Sequence, residues 1–213
     1  MTNIETFHLN SISAISVDLD TDERITHQEL QILTYKTEYW NNPGKFSLSK
    51  SVNLIEDCGV PRIGGVFDKY VHLYTKETLG IDYNFHRVSS WLTYNSNGTH
   101  HHLHRHPNSM ISAVMYFNED LSDQDLAPMK LHLPGLRSTF RDFNFNLEIE
   151  TTNPHNLLTK SMDVKTHRIF VFPSYLKHET IPCGENENRY CIGVNYFIKD
   201  RIKTGTLEQI DIF

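Results

Sequence analysis

The chain has 213 residues, of which 38% are hydrophobic and 22% charged, and it carries a net charge of −6. That composition excludes a disordered or membrane-embedded chain, and no apolar run approaches the roughly 18–20 residues of a transmembrane helix. The acidic balance argues against nucleic acid as a partner, because phosphate binding needs a basic surface. Three cysteines, Cys58, Cys183 and Cys191, show no CxxC spacing, so no disulfide framework is expected. The N-terminal MTNIETFHLN has neither the basic nor the apolar region of a secretory signal. A cytoplasmic protein with no membrane contact is the expectation, folded as one domain over 1–213.

In chain order, Thr21–Trp40 reads as a loose helix, with Asp20, Thr21 or Asp22 as N-cap and Asn41-Asn42-Pro43-Gly44 as its stop. A second helix is predicted over Pro61–Thr78. There Ile63, Val66, Phe67, Tyr70 and Leu73 recur at steps of three and four, and Gly80 marks the end. After Ile81 the pattern turns to strands: Val88–Tyr94, Met110–Phe117, Met129–Leu133, Arg168–Phe172 and Cys191–Ile198, short runs mostly rich in β-branched and aromatic residues. Weaker candidates are Leu147–Thr151 and Glu179–Ile181. Many short strands without long helices between them suggest an antiparallel barrel or jelly roll. The expected organisation is a helical part over 1–80, a β core over 81–200 with a long insert at 118–167 holding one or two strands, and a tail at 201–213 that docks on its own sheet or on a neighbour.

Histidine is the unusual residue. There are 13, and five fall between residues 100 and 106. On an extended strand alternate residues share a face, so His102, His104 and His106 would point one way and His101, Leu103 and Arg105 the other. Two imidazoles on one side make half a metal site; the alternative is a solvated polar loop. Further on, Arg168-Ile-Phe-Val-Phe-Pro-Ser-Tyr-Leu-Lys-His178 reads as a buried strand, a turn and a histidine. Arg189 opens the strand that ends in Asn195-Tyr196-Phe197. His178 and Arg189 are expected on adjacent antiparallel strands joined by Pro182–Asn188. A guanidinium there suits bidentate recognition of a carboxylate; the alternative is a surface pair with Glu185 or Glu187.

These segments resemble known motifs. His104-x-His106-Pro-Asn-Ser followed by Met110-Ile-Ser-Ala-Val-Met-Tyr-Phe-Asn118 resembles the first metal motif of the Fe(II)- and 2-oxoglutarate-dependent oxygenases, in particular the group with the signature HxHPxSxxSGVYY. Phe172-Pro-Ser-Tyr-Leu-Lys-His178 is similar to its FPSxLxH motif, Arg189-Tyr-Cys-Ile-Gly-Val-Asn195 to its RxSxxxN strand, and Trp91 to a tryptophan ahead of Gly98. The resemblance runs from Ser90 to Phe197. It implies a double-stranded β-helix (a cupin-like jelly roll, mainly β) with the N-terminal helices packed on one sheet. It implies Fe(II) held by His104, His106 and His178, with His102 as the lesser candidate. It also implies 2-oxoglutarate with its far carboxylate on Arg189, Asn195 near the cofactors, ascorbate as reductant, and no catalytic group beyond the metal centre.

Three departures stand out. Most of the superfamily has Asp or Glu where this chain has His106, so the metal would keep more positive charge, and Zn(II) also accepts three histidines. Cys191 replaces a serine that helps hold the far carboxylate; a thiol is a weak donor, so Tyr94 or Tyr116 is expected to compensate. Gly193 and Ala113 replace Ser and Gly, read as packing changes. Two alternatives stay open: a three-histidine metalloprotein that does not use 2-oxoglutarate, which would not need Arg189, and a non-catalytic metal-binding module of the same fold. The substrate, a protein side chain or a small molecule, is not legible. Lys130, His132, Arg137, Arg141 and Lys160 read as a solvated face.

Overall fold

The computed structural model describes residues 12–40, 46–133, 151, 157–203 and 209–212. The expected strand Leu147–Thr151 apart from Thr151 itself, which is in a bend, the stop at 41–44, and Arg137 and Arg141 lie outside that set. Strand β1 (Ile15–Asp18) is followed by helix α1 (His27–Lys36), two short strands, β2 (Tyr39–Trp40) and β3 (Ser47–Ser49), and helices α2 (Leu54–Cys58) and α3 (Pro61–Leu73). The β core comprises β4 (Phe85–Ser96), β5 (Ile111–Phe117), β6 (Asp125–His132), β7 (Thr159–Lys165), β8 (Arg168–Pro173), β9 (Lys177–Thr180) and β10 (Asn188–Ile198). A hairpin of β11 (Asp200–Lys203) and β12 (Gln209–Ile212) follows.

The strands form a seven-stranded sheet of order β1-β8-β5-β10-β4-β3-β2 and a three-stranded sheet of order β7-β6-β9, antiparallel throughout. The larger sheet is covered on both faces, which is why all seven residues of β5 are buried where a half-exposed strand would alternate. Ala113, Met115, Ile169, Val171, Ile192 and Val194 pack outward against Ile55, Ile63, Phe67 and Tyr70 of the helices. Val114, Tyr116, Phe170 and Phe172 point inward, against Leu126, Met129, Leu131 and Val164 of the smaller sheet. This is the jelly roll with helices on one sheet that the sequence predicts.

Several local expectations change. The N-cap of α1 is Thr26, not Asp20, Thr21 or Asp22: its side chain accepts from the Glu29 amide while Glu29 reaches back to the Thr26 amide, a capping box. Glu29 is also paired with Arg62 of α3, tying the two helices together. The helix predicted over Pro61–Thr78 is α-helical to Leu73 and continues as a π-helical turn over Tyr74–Thr78; Gly80 then takes φ 66°. The insert holds two strands, β6 and β7. His178 and Arg189 are not on neighbouring strands: β9 pairs with β6, whereas β10 pairs with β4 and β5, so the connection between them crosses from one sheet to the other. Among the described residues, no helix is long and apolar enough to cross a membrane.

Candidate metal centre

The histidine-rich segment acts as an irregular fourth strand of the smaller sheet. His104 and His178 exchange both backbone hydrogen bonds at 2.9 Å, so their imidazoles emerge on the same face. The next bond runs from the Thr180 amide to the carbonyl of His101 (3.0 Å), not of His102. Three residues on one side therefore oppose two on the other, a bulge. This breaks the simple alternation predicted from sequence. His101 takes the inward place and His102 is exposed, so the structure does not bring the His102 side chain to the metal-ligating group. His106 follows, its amide bonded to the Ser174 carbonyl at 3.0 Å.

His104, His106 and His178 form the one group of three metal-ligating side chains among the described residues, with donor atoms within 4.8 Å of one another. The Nε2 atoms of His104 and His106 are 3.2 Å apart. Each ring is fixed from behind through Nδ1. The His104 Nδ1 meets the His102 carbonyl at 2.7 Å, and the His178 Nδ1 meets the Leu176 carbonyl at 3.0 Å. The His106 Nδ1 meets Asn195 Oδ1 at 2.9 Å and Ser112 Oγ at 2.7 Å. Carbonyl oxygens only accept, so the proton sits on Nδ1 and the Nε2 lone pair is left for the centre, the arrangement metal-bound histidines use. Burial, reinforced by the neighbouring imidazoles, lowers His106 to about 4 and His178 to about 3, and holds His104 below its usual value. Three neutral imidazoles with converging lone pairs suit a divalent transition metal.

Beside these ligands is a pocket lined also by Trp91, Thr93, Asn95, Val114, Tyr116 and Cys191 of the larger sheet and by His101 and Thr180 of the smaller. Trp91 stands edge-on to His106, with ring centroids 5.1 Å apart at 87°. His101 lies against Phe46 and His104, at 4.0 and 4.1 Å between centroids, and its burial depresses it to about 2. Arg189 is on the same inward face of β10 as Cys191 and is 1% exposed. Its Nη1 donates to the carbonyls of Ala127 (2.7 Å) and Ile181 (3.3 Å), its Nη2 to Thr180 Oγ1 (2.9 Å), and its Nε has no partner. Glu187 is engaged with the amides of Ala127 and Gly184, so the surface pairing of Arg189 with an acid does not occur.

The other expected site residues divide. Cys191 and Tyr116 face the pocket; burial pushes the Cys191 thiol up to about 12 and the Tyr116 phenol well above its usual value. Asn195 is not in the pocket but behind His106. Tyr94 is on the opposite face of β4 from Thr93 and Asn95, its hydroxyl 2.8 Å from Asn188 Oδ1 and its ring against Tyr190, and so cannot assist Cys191. Sequence reasoning missed His101, Thr180 and Ser112. Ser112 carried a signal, as a polar residue near the start of an otherwise apolar strand; the other two depend on the bulge.

The family model described as "Putative 2OG-Fe(II) oxygenase" matches residues 89–195. Among curated proteins, none matches the chain in sequence. Solved structures that resemble it include a 2OG-Fe(II) oxygenase family oxidoreductase from Burkholderia pseudomallei (TM-score 0.54, 10% identity, 86% of this chain and 83% of that one). The α-ketoglutarate-dependent epimerase SnoN from nogalamycin biosynthesis is also similar (TM-score 0.60, 8% identity, 87% and 78%). So is a prolyl hydroxylase from Trichoplax adhaerens, in complex with a hypoxia inducible factor peptide fragment (TM-score 0.54, 14% identity, 86% and 83%). These likenesses carry the jelly-roll fold. The family match spans half the chain and contains all three converging histidines, and the chain belongs to the 2OG-Fe(II) oxygenase family, whose cofactors are Fe(II) and 2-oxoglutarate.

Proposed function

We propose that this oxygenase is a hydroxylase, coupling oxidative decarboxylation of 2-oxoglutarate to hydroxylation of a C–H bond in a protein side chain or small molecule. The observation that carries the reading is Arg189: a buried guanidinium with no carboxylate partner among the described residues, on the inward sheet face that also lines the metal pocket. It is suited to the far carboxylate of a dicarboxylate cosubstrate. In this reading His104, His106 and His178 hold Fe(II). When bound, Fe(II) and 2-oxoglutarate together convert O₂ and the keto acid to succinate, CO₂ and one oxygen atom for the substrate. Ser112 and Asn195 keep the His106 ring turned toward the centre. Trp91, Val114 and Tyr116 supply apolar walls that exclude water. No Asp or Glu lines the pocket among the described residues, so the side chains position rather than shuttle protons.

The test is anaerobic titration of the Fe(II)-loaded protein with 2-oxoglutarate, followed by admission of O₂. A visible charge-transfer band, then succinate release and a substrate heavier by one oxygen atom, is the expected result. A band with a rearranged but unoxygenated product would replace hydroxylation with another oxidation. No band with iron bound would overturn the use of 2-oxoglutarate.

A further inference from the structure

Cys191 offers the pocket only a thiol, a weak donor. Three hydroxyls line the pocket, those of Thr93, Tyr116 and Thr180. Thr93 Oγ1 donates to the Cys191 carbonyl (3.4 Å) and the Tyr116 hydroxyl to Met129 Sδ (3.6 Å). Thr180 is different. Its Oγ1 accepts twice, from the His101 amide at 2.8 Å and from Arg189 Nη2 at 2.9 Å. A hydroxyl has two acceptor lone pairs and one proton. Both lone pairs are engaged, and the proton has no acceptor among the described residues.

The surroundings leave that proton one direction. Thr180 is 8% exposed and inward-facing on β9, opposite Met129 of β6. The carbonyls of Ala127 and Ile181 accept from Arg189 and that of His101 from the Thr180 amide, and none of them accepts from Thr180 Oγ1. What remains is the pocket. Acceptance from a guanidinium also polarises the hydroxyl, making it a better donor.

Resting on the reading above, we propose that Thr180 is a cosubstrate-binding residue: its Oγ1–H donates to the far carboxylate of 2-oxoglutarate beside Arg189. The two form one anchor, in which Arg189 supplies the charge and Thr180 the short neutral donor that Cys191 lacks. Because the same oxygen holds the His101 amide, Thr180 also joins the carboxylate end of the pocket to the histidine segment.

The experiment is anaerobic titration of Fe(II)-loaded wild type, Thr180→Val and Thr180→Ser with two keto acids. These are 2-oxoglutarate and 2-oxopentanoate, which has a methyl where the far carboxylate would be; Fe(II) affinity and melting temperature are measured alongside. A hydrogen bond to a charged group predicts that Thr180→Val binds 2-oxoglutarate about 10- to 100-fold more weakly. It should bind 2-oxopentanoate and Fe(II) as the wild type does, and Thr180→Ser should restore 2-oxoglutarate affinity. Unchanged 2-oxoglutarate affinity in Thr180→Val overturns the proposal. So does a parallel loss for both keto acids or for Fe(II), which marks a purely structural role. A wild type that binds iron but neither keto acid overturns the 2-oxoglutarate reading itself, and this inference with it.

Discussion

Gly193 lies directly beneath the Trp91 indole: the two residues are paired across β10 and β4, and a Cβ on Gly193 would overlap the six-membered ring. The absence of a side chain is therefore what leaves room for the indole in its T-shaped contact with His106. Gly193→Ala should push the indole toward the metal pocket. Overpacking of this kind costs about 1–3 kcal/mol, and here the displacement is aimed at a ligand. The expected outcome is a lower melting temperature, altered Trp fluorescence and metal binding weakened several-fold. A variant with wild-type metal affinity and fluorescence would show that Trp91 has another place to go.

Asn195 acts through His106. Its Oδ1 accepts from the imidazole and from Ser112 Oγ, and its Nδ2 donates to Ser89 Oγ at 3.1 Å, which fixes the orientation of the amide. Asn195→Ala leaves the His106 ring with Ser112 alone. Loss of such a partner typically lowers metal affinity 10- to 100-fold, and competition with a chromophoric chelator measures it. Asn195→Asp restores the acceptor and adds a negative charge behind the ring, so it should bind divalent metal at least as tightly as the wild type. Equal affinities in all three proteins would remove Asn195 from the centre.

Much of this is legible in the sequence. Five of the six strands of six or more residues, β4, β5, β6, β8 and β10, stand out by their apolar content, and α3 by its apolar stripe; β7, mostly polar, does not. His104, His106 and His178 are found by type and order because a metal site needs particular atoms. The short elements were not legible: β1 and α2 are four and five residues long, too short for a period to show. Nor were the strand partners. That β9 pairs with β6 rather than β10 depends on contacts about 50 residues apart in sequence. One extra residue opposite Thr180 exchanges His101 for His102, and residue types do not mark the bulge. Asn195 was placed among the cofactors because it belongs to the same motif as Arg189, yet it serves His106 from behind.

In the proposed reading Arg189 carries two separable functions. Its Nη1 ties the Ala127 and Ile181 carbonyls together across the β6 irregularity, and its charge is proposed to hold the far carboxylate of 2-oxoglutarate. Arg189→Lys keeps a charge but not the fork, so those carbonyls lose partners, at a cost of about 1–3 kcal/mol. Arg189→Ala should be destabilised similarly and should also bind 2-oxoglutarate at least 10-fold more weakly, with Fe(II) affinity retained. Arg189→Lys is expected between that variant and the wild type. Keto-acid titrations at fixed iron read the order, and a 2-oxoglutarate affinity indifferent to all three residues would place the anchor elsewhere.

The buried histidines also set a pH dependence. His106, His178 and His101 are depressed to about 4, 3 and 2 by burial, against roughly 6.5 in an unfolded chain. Below about pH 6.5 the unfolded chain takes up protons that the folded one refuses, so stability falls as pH falls. The slope is about 1.4 kcal/mol per pH unit for each such proton. The paired carboxylates of Asp18, Glu23 and Glu29 are held below their usual values. Their stabilisation is present above the carboxylate range and is lost only at lower pH. Between about pH 6.5 and 4.5 the histidines therefore dominate the slope. Urea unfolding of the metal-free protein across that window should show a steadily falling midpoint, and a flatter fall in His178→Asn. Metal-loaded protein should be more stable throughout and fall in parallel, steepening only as the pH nears the His106 value of about 4, where protons begin to compete with metal for Nε2. A midpoint constant from pH 6.5 to 4.5 in the metal-free wild type would mean that these imidazoles accept protons in the folded state, and that the centre opens to water before it loses its ligands.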